Sequence, residues 1–162
     1  MRRNGPLGWF VAVTVAAVWL LSRGGLGRGP APPFSLPETY GGRVDLSSYK
    51  GRPVLLVFWT TTCGICRRQI PLLNRMSAEF RSRGVEVATI HLGGKDEARD
   101  YLRSNGISLT ALVDAEGRTG SAYGVYGVPK LVLVGADGHV LRSHAGIVGE
   151  DELRRWMEAA GR

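Results

Sequence analysis

The two cysteines of the chain stand in one motif, Cys63-Gly64-Ile65-Cys66, shortly after a continuous apolar run. That run, Pro53–Trp59, has the pattern of a strand buried on both faces of a sheet. A helical pattern follows from about Gly64 to Arg83, where Gly84 is placed to end it. Free N–H groups at the start of a helix carry partial positive charge, so they would stabilise a thiolate at Cys63. The motif therefore predicts a dithiol that shuttles to a disulfide, with Cys63 attacking a substrate and Cys66 resolving the mixed disulfide.

Three other uses of a C-x-x-C motif fit the chain less well. A zinc half-site needs two more ligands, and the three histidines show no paired spacing. Covalent haem attachment needs a histidine directly after the second cysteine, where this chain has Arg67. A structural disulfide over so short a loop would constrain the unfolded chain little. No metal and no other cofactor is predicted.

The order of the predicted elements is β-α-β-α-β followed by ββ-α. This order indicates an α/β fold with a central mixed sheet and helices on both faces. A small hairpin over residues 34–45 precedes the first buried strand. The elements predicted after the first helix are, in chain order, strand Val85–His91, helix Lys95–Asn105, strand Leu109–Val113, hairpin strands Leu131–Val134 and His139–Ser143, and helix Glu150–Ala160.

The N-terminal segment, residues 1–22, predicts a membrane anchor. Two arginines precede the uncharged run Asn4–Ser22, which just reaches the length of about 20 residues that spans a hydrocarbon core. No A-x-A cleavage site follows it, which favours an uncleaved anchor over a cleaved signal peptide. The positive-inside rule then places the globular part on the extracytoplasmic side of the cytoplasmic membrane. Residues 23–33, rich in Gly and Pro, predict a tether to a domain at 34–162.

The positive charge of the chain does not indicate a nucleic-acid partner. The formal net charge is +7, but residues 1–33 hold four of the 21 basic side chains and no acid. The rest of the chain therefore has 17 basic and 14 acidic side chains, a net charge of only +3. A globular domain with so small an excess gives little reason to expect a phosphate backbone as partner.

Several segments together resemble one protein family. Phe58-Trp59, the cysteine motif and Arg67-Arg68-Gln69-Ile70-Pro71 resemble the active-site segment of thioredoxin-like proteins, and Gly127-Val128-Pro129 resembles their cis-proline loop. The hairpin, Leu46–Gly51 and the insert Lys95–Tyr123 resemble the membrane-anchored TlpA/ResA/CcmG-like disulfide reductases, over residues 34–160. The resemblance implies a thioredoxin fold with an N-terminal β-hairpin and a central αβ insert.

The same resemblance implies roles for individual residues. Trp59 matches the tryptophan beside the cysteines, and Pro71 matches the proline that kinks the active helix. Pro129 matches the proline whose preceding peptide bond is cis, and Val128 would offer its backbone to an extended substrate segment. Tyr123 and Tyr126, near this loop, are interpreted as packing residues rather than as the lining of a substrate groove.

The chain also departs from the family pattern. Thr62 stands where a second tryptophan is frequent, and Lys130 stands where threonine often follows the cis-proline. Gln69 replaces a common glutamate, and Val57 replaces the buried aspartate of ordinary thioredoxins. Because an amide cannot titrate, we expect resolution by Cys66 to be slow or to use water.

The resemblance implies a reducing thiol–disulfide oxidoreductase, with disulfides such as those of apocytochrome c, or a haem-ligation factor, as partners. A membrane thiol relay of the DsbD/CcdA type would supply the electrons. The alternatives are an oxidase or isomerase, a maturation factor of the methylamine-utilisation type, a peroxiredoxin (Thr60 precedes Cys63 as in T-x-x-C), and a copper-handling or scaffold protein. Arg67 and Arg68 are interpreted as a solvated face, with substrate attraction as the alternative, and His91 as a loop or core histidine.

Overall fold

The structure, a computed structural model, describes residues 29–161. The predicted anchor and residues 23–28 of the predicted tether lie outside the described residues. Within the described range no helix is long and apolar enough to cross a membrane. The first two strands form an antiparallel hairpin, β1 (Ser35–Pro37) and β2 (Arg43–Asp45), as predicted, and a 3₁₀ helix over Leu46–Tyr49 follows it.

A five-stranded mixed sheet forms the centre of the domain. Its strands are β3 (Val54–Trp59), β4 (Glu86–His91), β5 (Thr110–Val113), β6 (Lys130–Val134) and β7 (Val140–Ala145), in the spatial order β5-β4-β3-β6-β7. The first three strands run parallel, and β6 and β7 are antiparallel to their neighbours. All six residues of β3 are completely buried, as its apolar sequence predicts for a central strand.

Four helices connect or follow these strands: α1 (Cys66–Ser82), α2 (Lys95–Ser104), the short α3 (Arg118–Ala122) and α4 (Glu150–Ala160). Both α1 and α2 end as predicted, before a glycine with positive φ, Gly84 at 73° and Gly106 at 64°. The sequence pattern did not predict α3, because five residues are too few to display a helical period.

The prediction of helices on both faces holds only in part. The three longer helices contribute to one apolar cluster, which contains Leu73 of α1, Leu102 of α2 and Trp156 of α4. The cluster on the other face takes no residue from them. There the sheet residues pack against the N-terminal segment, the hairpin and the region of α3, which contribute the large side chains Phe34 and Tyr123. Short elements therefore cover the second face of the sheet.

Residues 29–33, predicted as part of a tether, pack against the domain. The Ala31 N–H donates to the Gly138 carbonyl at 2.9 Å, and the Val140 N–H donates to the Gly29 carbonyl at 2.9 Å. The Tyr123 hydroxyl donates to the Pro32 carbonyl at 2.8 Å. Glycine and proline kept these residues out of a helix, but they did not prevent backbone pairing with a strand. The folded domain thus begins at least five residues earlier than predicted.

Candidate functional site

Cys63 and Cys66 are joined by a disulfide at the start of α1, with their Cα atoms 5.2 Å apart. The Cys66 N–H donates to Cys63 Sγ at 3.1 Å, so a first-turn amide faces the sulfur that the sequence predicts to be the nucleophile. Cys63 is partly exposed, whereas Cys66 is completely buried. Only the first sulfur is thus open to a substrate, and the amide can stabilise it as a thiolate.

The loop before β6 closes over the cysteine pair. The Val128–Pro129 peptide bond is cis, as the resemblance implies. The Val128 carbonyl oxygen lies 3.4 Å from Cys63 Sγ, and Pro129 is buried beside it. The Gly146 N–H donates to the Pro129 carbonyl at 2.8 Å, which ties this loop to the end of β7. A partly exposed backbone segment therefore runs alongside the reactive sulfur.

The structure brings Trp59 and the cysteines together under this loop. Trp59 and Cys66 are buried in one cluster, and Cys63 and Val128 pack against it. Pro71 lies within the second turn of α1, where it has no N–H to donate to the Arg67 carbonyl. Trp59, Val128 and the two cysteines therefore form one packed group, whereas Gln69 and Pro71 lie further along α1.

Gln69 is completely buried and is hydrogen-bonded at both ends of its amide. Its Oε1 accepts from the Val148 N–H at 2.7 Å, and its Nε2 donates to the Val148 carbonyl at 3.3 Å. The side chain therefore holds the loop before α4 against the first turn of α1. This partner lies 79 residues away in the sequence, so local patterns could not reveal it.

His91 lies directly beside Trp59 and is a core histidine. Its ring is completely buried, with the two ring centroids 4.8 Å apart in an edge-to-face arrangement. Neither ring nitrogen has a hydrogen-bond partner among the described residues, and burial lowers the pKa of the imidazole. His91 and Trp59 are direct neighbours across β4 and β3, so sheet register explains their contact.

Lys130, which follows the cis-proline, is almost completely buried. Its Nζ donates to the carbonyl oxygens of Tyr123 and Gly124, each at 2.8 Å. Desolvation lowers the pKa of this ammonium group. Lys130 thus bonds the end of α3 to the base of the cis-proline loop, and it fixes both ends of the segment that carries Val128.

Exposed apolar side chains lie in the segments that border the disulfide. Among the described residues, three of the four large exposed hydrophobic side chains belong to the segments that border it, namely Ile65, Tyr126 and Ile147. Ile65 lies between the cysteines, and Tyr126 precedes Val128 by two residues. Ile147 lies between Gly146, which bonds Pro129, and Val148, which bonds Gln69. The packing interpretation is right for Tyr123, which is fully buried, and wrong for Tyr126, which is 92% exposed.

Comparison with known proteins agrees with this geometry. The profile of the AhpC/TSA family matches residues 28–143. The chain belongs to this thioredoxin-like family. The thiol-disulfide oxidoreductase ResA of Bacillus subtilis is 30% identical over 128 residues, which are 78% of this chain and 72% of that protein. The family member described here is therefore a thiol-disulfide oxidoreductase of the ResA type, with Cys63 and Cys66 as its cysteine pair.

Solved structures give the same fold. A Chlorobium tepidum protein assigned as thiol:disulfide interchange protein DsbE has a TM-score of 0.78 and 34% identity, over 85% of this chain and 99% of that one. A secreted Mycobacterium tuberculosis disulfide oxidoreductase homologous to E. coli DsbE has a TM-score of 0.69 and 25% identity, over 78% of this chain and 95% of that one.

Proposed function

We propose that the chain is a membrane-tethered reductase of protein disulfides that acts outside the cytoplasmic membrane. The observation that carries this proposal is the asymmetry of the cysteine pair. Cys63 is partly exposed beside an open backbone segment, whereas Cys66 is buried behind it. Such a pair can offer one sulfur to a protein substrate and keep the other for the intramolecular step.

The reaction begins with the reduced protein. The Cys63 thiolate attacks one sulfur of a substrate disulfide, so the substrate S–S bond breaks as a mixed disulfide forms. The released substrate sulfur takes up a proton from solvent. Cys66 then loses its proton and attacks Cys63 Sγ, and the second substrate sulfur leaves as a thiol. Two electrons have passed to the substrate, and the protein holds the Cys63–Cys66 disulfide.

The residues around the pair have supporting roles in this proposal. The Val128 backbone pairs with an extended substrate segment next to Cys63, and Pro129 keeps that segment close to the sulfur. Trp59 packs with the cysteines on the side that faces the core. Gln69 holds the first turn of α1 in place through Val148, and Pro71 shapes the helix that carries Cys66.

The physiological substrate in this proposal is a disulfide of apocytochrome c, or of a haem-ligation factor, before haem attachment. A membrane thiol relay of the DsbD/CcdA type returns the protein to its dithiol form. The family resemblance and the similarity to ResA and DsbE proteins support this assignment. The extracytoplasmic location rests on the predicted anchor, and one of the structural relatives is a secreted protein.

Trapping with Cys66→Ala tests the proposal. The variant should accumulate Cys63 in stable mixed disulfides, and mass spectrometry of these adducts should identify apocytochrome c or a haem-ligation factor. The matched control, Cys63→Ala, should trap nothing because Cys66 is buried. Absence of any adduct with Cys66→Ala would contradict the proposal.

The reduction potential tests the direction of electron flow. A reductase should have a reduction potential of about −270 mV, whereas a strong oxidant has one of about −120 mV. Equilibration with glutathione buffers gives this value when the fraction oxidised is read from tryptophan fluorescence, to which Trp59 near the disulfide contributes. A potential at the oxidising end would favour the oxidase alternative, and fast peroxide consumption by the reduced protein would favour the peroxidase alternative.

A further inference from the structure

Arg67 and Arg68 lie next to the cysteine pair and are exposed. They occupy the first turn of α1, which contains no acid. The other two long helices carry acids in this position, Asp96 and Glu97 in α2 and Glu150–Glu152 in α4, as the helix dipole favours. The active helix thus has the less favourable charge at its start, so helix stability does not explain these arginines.

The two arginines also have no acidic partner. Among the described residues, no carboxylate lies within ion-pair distance of Arg67 or Arg68, although eleven such contacts occur elsewhere. The acids that border the site are already engaged. Glu97 accepts a hydrogen bond from Thr61 in the loop before Cys63, and the three acids that begin α4 bond Arg154 or Arg155.

We propose that Arg67 and Arg68 form a basic docking surface that selects protein substrates with acidic residues beside the reactive cysteine. The inference rests on the proposed function, since it names the substrate class of the same site. Ile65, Tyr126 and Ile147 provide apolar contacts around the sulfur, and the uncompensated arginines add charge selection. Complementary charge mainly raises the association rate, and salt weakens it.

Three synthetic peptides test this inference. Each carries one intramolecular disulfide, and the residues flanking its cysteines are glutamate, serine or lysine. The reduced full-length protein in neutral detergent is mixed with each peptide, and the change in tryptophan fluorescence on disulfide formation gives the second-order rate constant of its oxidation. At low salt we expect the glutamate peptide to react about five to ten times faster than the serine peptide, and the lysine peptide to react slower than both. At 0.5 M NaCl the three rates should agree to within about twofold.

Two charge-reversal variants make the test specific. Arg67→Glu/Arg68→Glu should reverse the order of the peptides. Arg75→Glu/Arg81→Glu changes the charge of the same helix equally, at exposed sites about 13 and 22 Å along it from Cys66, and should keep the wild-type order. Ratios between peptides cancel any change in the intrinsic reactivity of Cys63. Both double variants should give the wild-type circular dichroism spectrum.

The outcomes separate the two proposals. Equal rates for the three peptides, or a reversed order in both double variants, would overturn the docking surface and leave the arginines to another partner such as an anionic lipid surface. Failure to reduce any of the three peptides would contradict the proposed function itself.

Discussion

At the scale of single residues, Gln69 shows how one side chain can replace the chemistry of another. The amide matches a peptide group, because it accepts from the Val148 N–H and donates to the Val148 carbonyl. A carboxylate at this position could accept but not donate, so it would face the Val148 carbonyl with a negative charge. Gln69 therefore stabilises the fold in place of supplying a proton acceptor.

Gln69→Glu should bring the acceptor back at a cost in stability. Burial and the facing carbonyl would raise the pKa of the new carboxyl group, so the folded state would bind its proton more tightly than the unfolded state does. The variant should therefore lose stability relative to the wild type as the pH rises from about 4.3, the pKa in the unfolded chain, to the raised pKa in the folded state. We expect a loss of about 1–3 kcal/mol at pH 7, and urea unfolding at pH 5, pH 7 and pH 8 measures both this loss and its pH dependence.

The same variant should turn over faster, with a new pH-dependent step in the resolution of a preformed mixed disulfide. Gln69→Met, which removes the hydrogen bonds without adding a titrating group, is the control and should show no such step. A pH profile identical to that of the wild type would show that resolution does not depend on an acceptor at this position.

Lys130→Met tests the buried ammonium group. The substitution leaves the carbonyls of Tyr123 and Gly124 without their donor, so we expect a loss of about 1–3 kcal/mol at pH 7. It should also raise KM for protein disulfides more than it lowers kcat, because the segment that carries Val128 loses a fixed end. Urea unfolding and steady-state kinetics measure the two effects, and the exposed Lys95→Met should change neither.

The lowered pKa of Lys130 adds a pH signature. Between this lowered pKa and the value of about 10.4 in the unfolded chain, the unfolded state binds more protons. Wild-type stability should therefore gain relative to Lys130→Met as the pH rises through that window. A stability difference that stays constant up to pH 10 would refute the buried-cation interpretation.

At the scale of elements, the sequence predicts the secondary structure well because each long element has its own period or a clear end. The all-apolar β3 and the helices that end at Gly84 and Gly106 are examples. The failures have two physical causes. The five residues of α3 are too few to display a helical period, and the pairing of residues 29–31 with Gly138 and Val140 depends on contacts between segments that are distant in the sequence. In the site, the motif predicted the cysteine pair and the family resemblance implied the cis-proline loop, but neither indicated the partners of Gln69 and Lys130.

Hydrogen exchange tests the pairing of residues 29–31 in the full-length protein. The amides of Ala31 and Val140 donate to backbone carbonyls across this pairing, so they should exchange on the order of 100-fold more slowly than in an unstructured chain. The Gly149 amide, in an exposed loop, gives a local comparison. Exchange of Ala31 at the unstructured rate would restore the original interpretation of residues 29–33 as tether.

At the scale of the whole molecule, the raised pKa values of two tyrosines predict that the protein loses stability at alkaline pH. Burial raises the pKa of Tyr49 to about 12 and that of Tyr123 further. Above pH 10 the folded state therefore holds phenolic protons that the unfolded state releases, and stability should fall as the pH rises.

Tyr123→Phe should reduce this alkaline loss. It should also cost about 1 kcal/mol at pH 7, since the hydrogen bond to the Pro32 carbonyl is lost. Urea unfolding at pH 7, pH 9 and pH 11 measures both effects. An alkaline slope that is unchanged in the variant would contradict the contribution of Tyr123.

The entry point of the chain has a geometric consequence for a tethered domain. Gly29 and Ala31 join the domain beside Gly138 and Val140, where β6 turns into β7, whereas the disulfide follows the other end of β3. Six residues of strand separate the two ends, a distance of about 20 Å. A membrane tether attached at this end would leave the disulfide on the side of the domain that faces away from the bilayer, toward protein substrates in solution. Reduction of this disulfide by a membrane-embedded thiol donor would then require the whole domain to rotate on its tether.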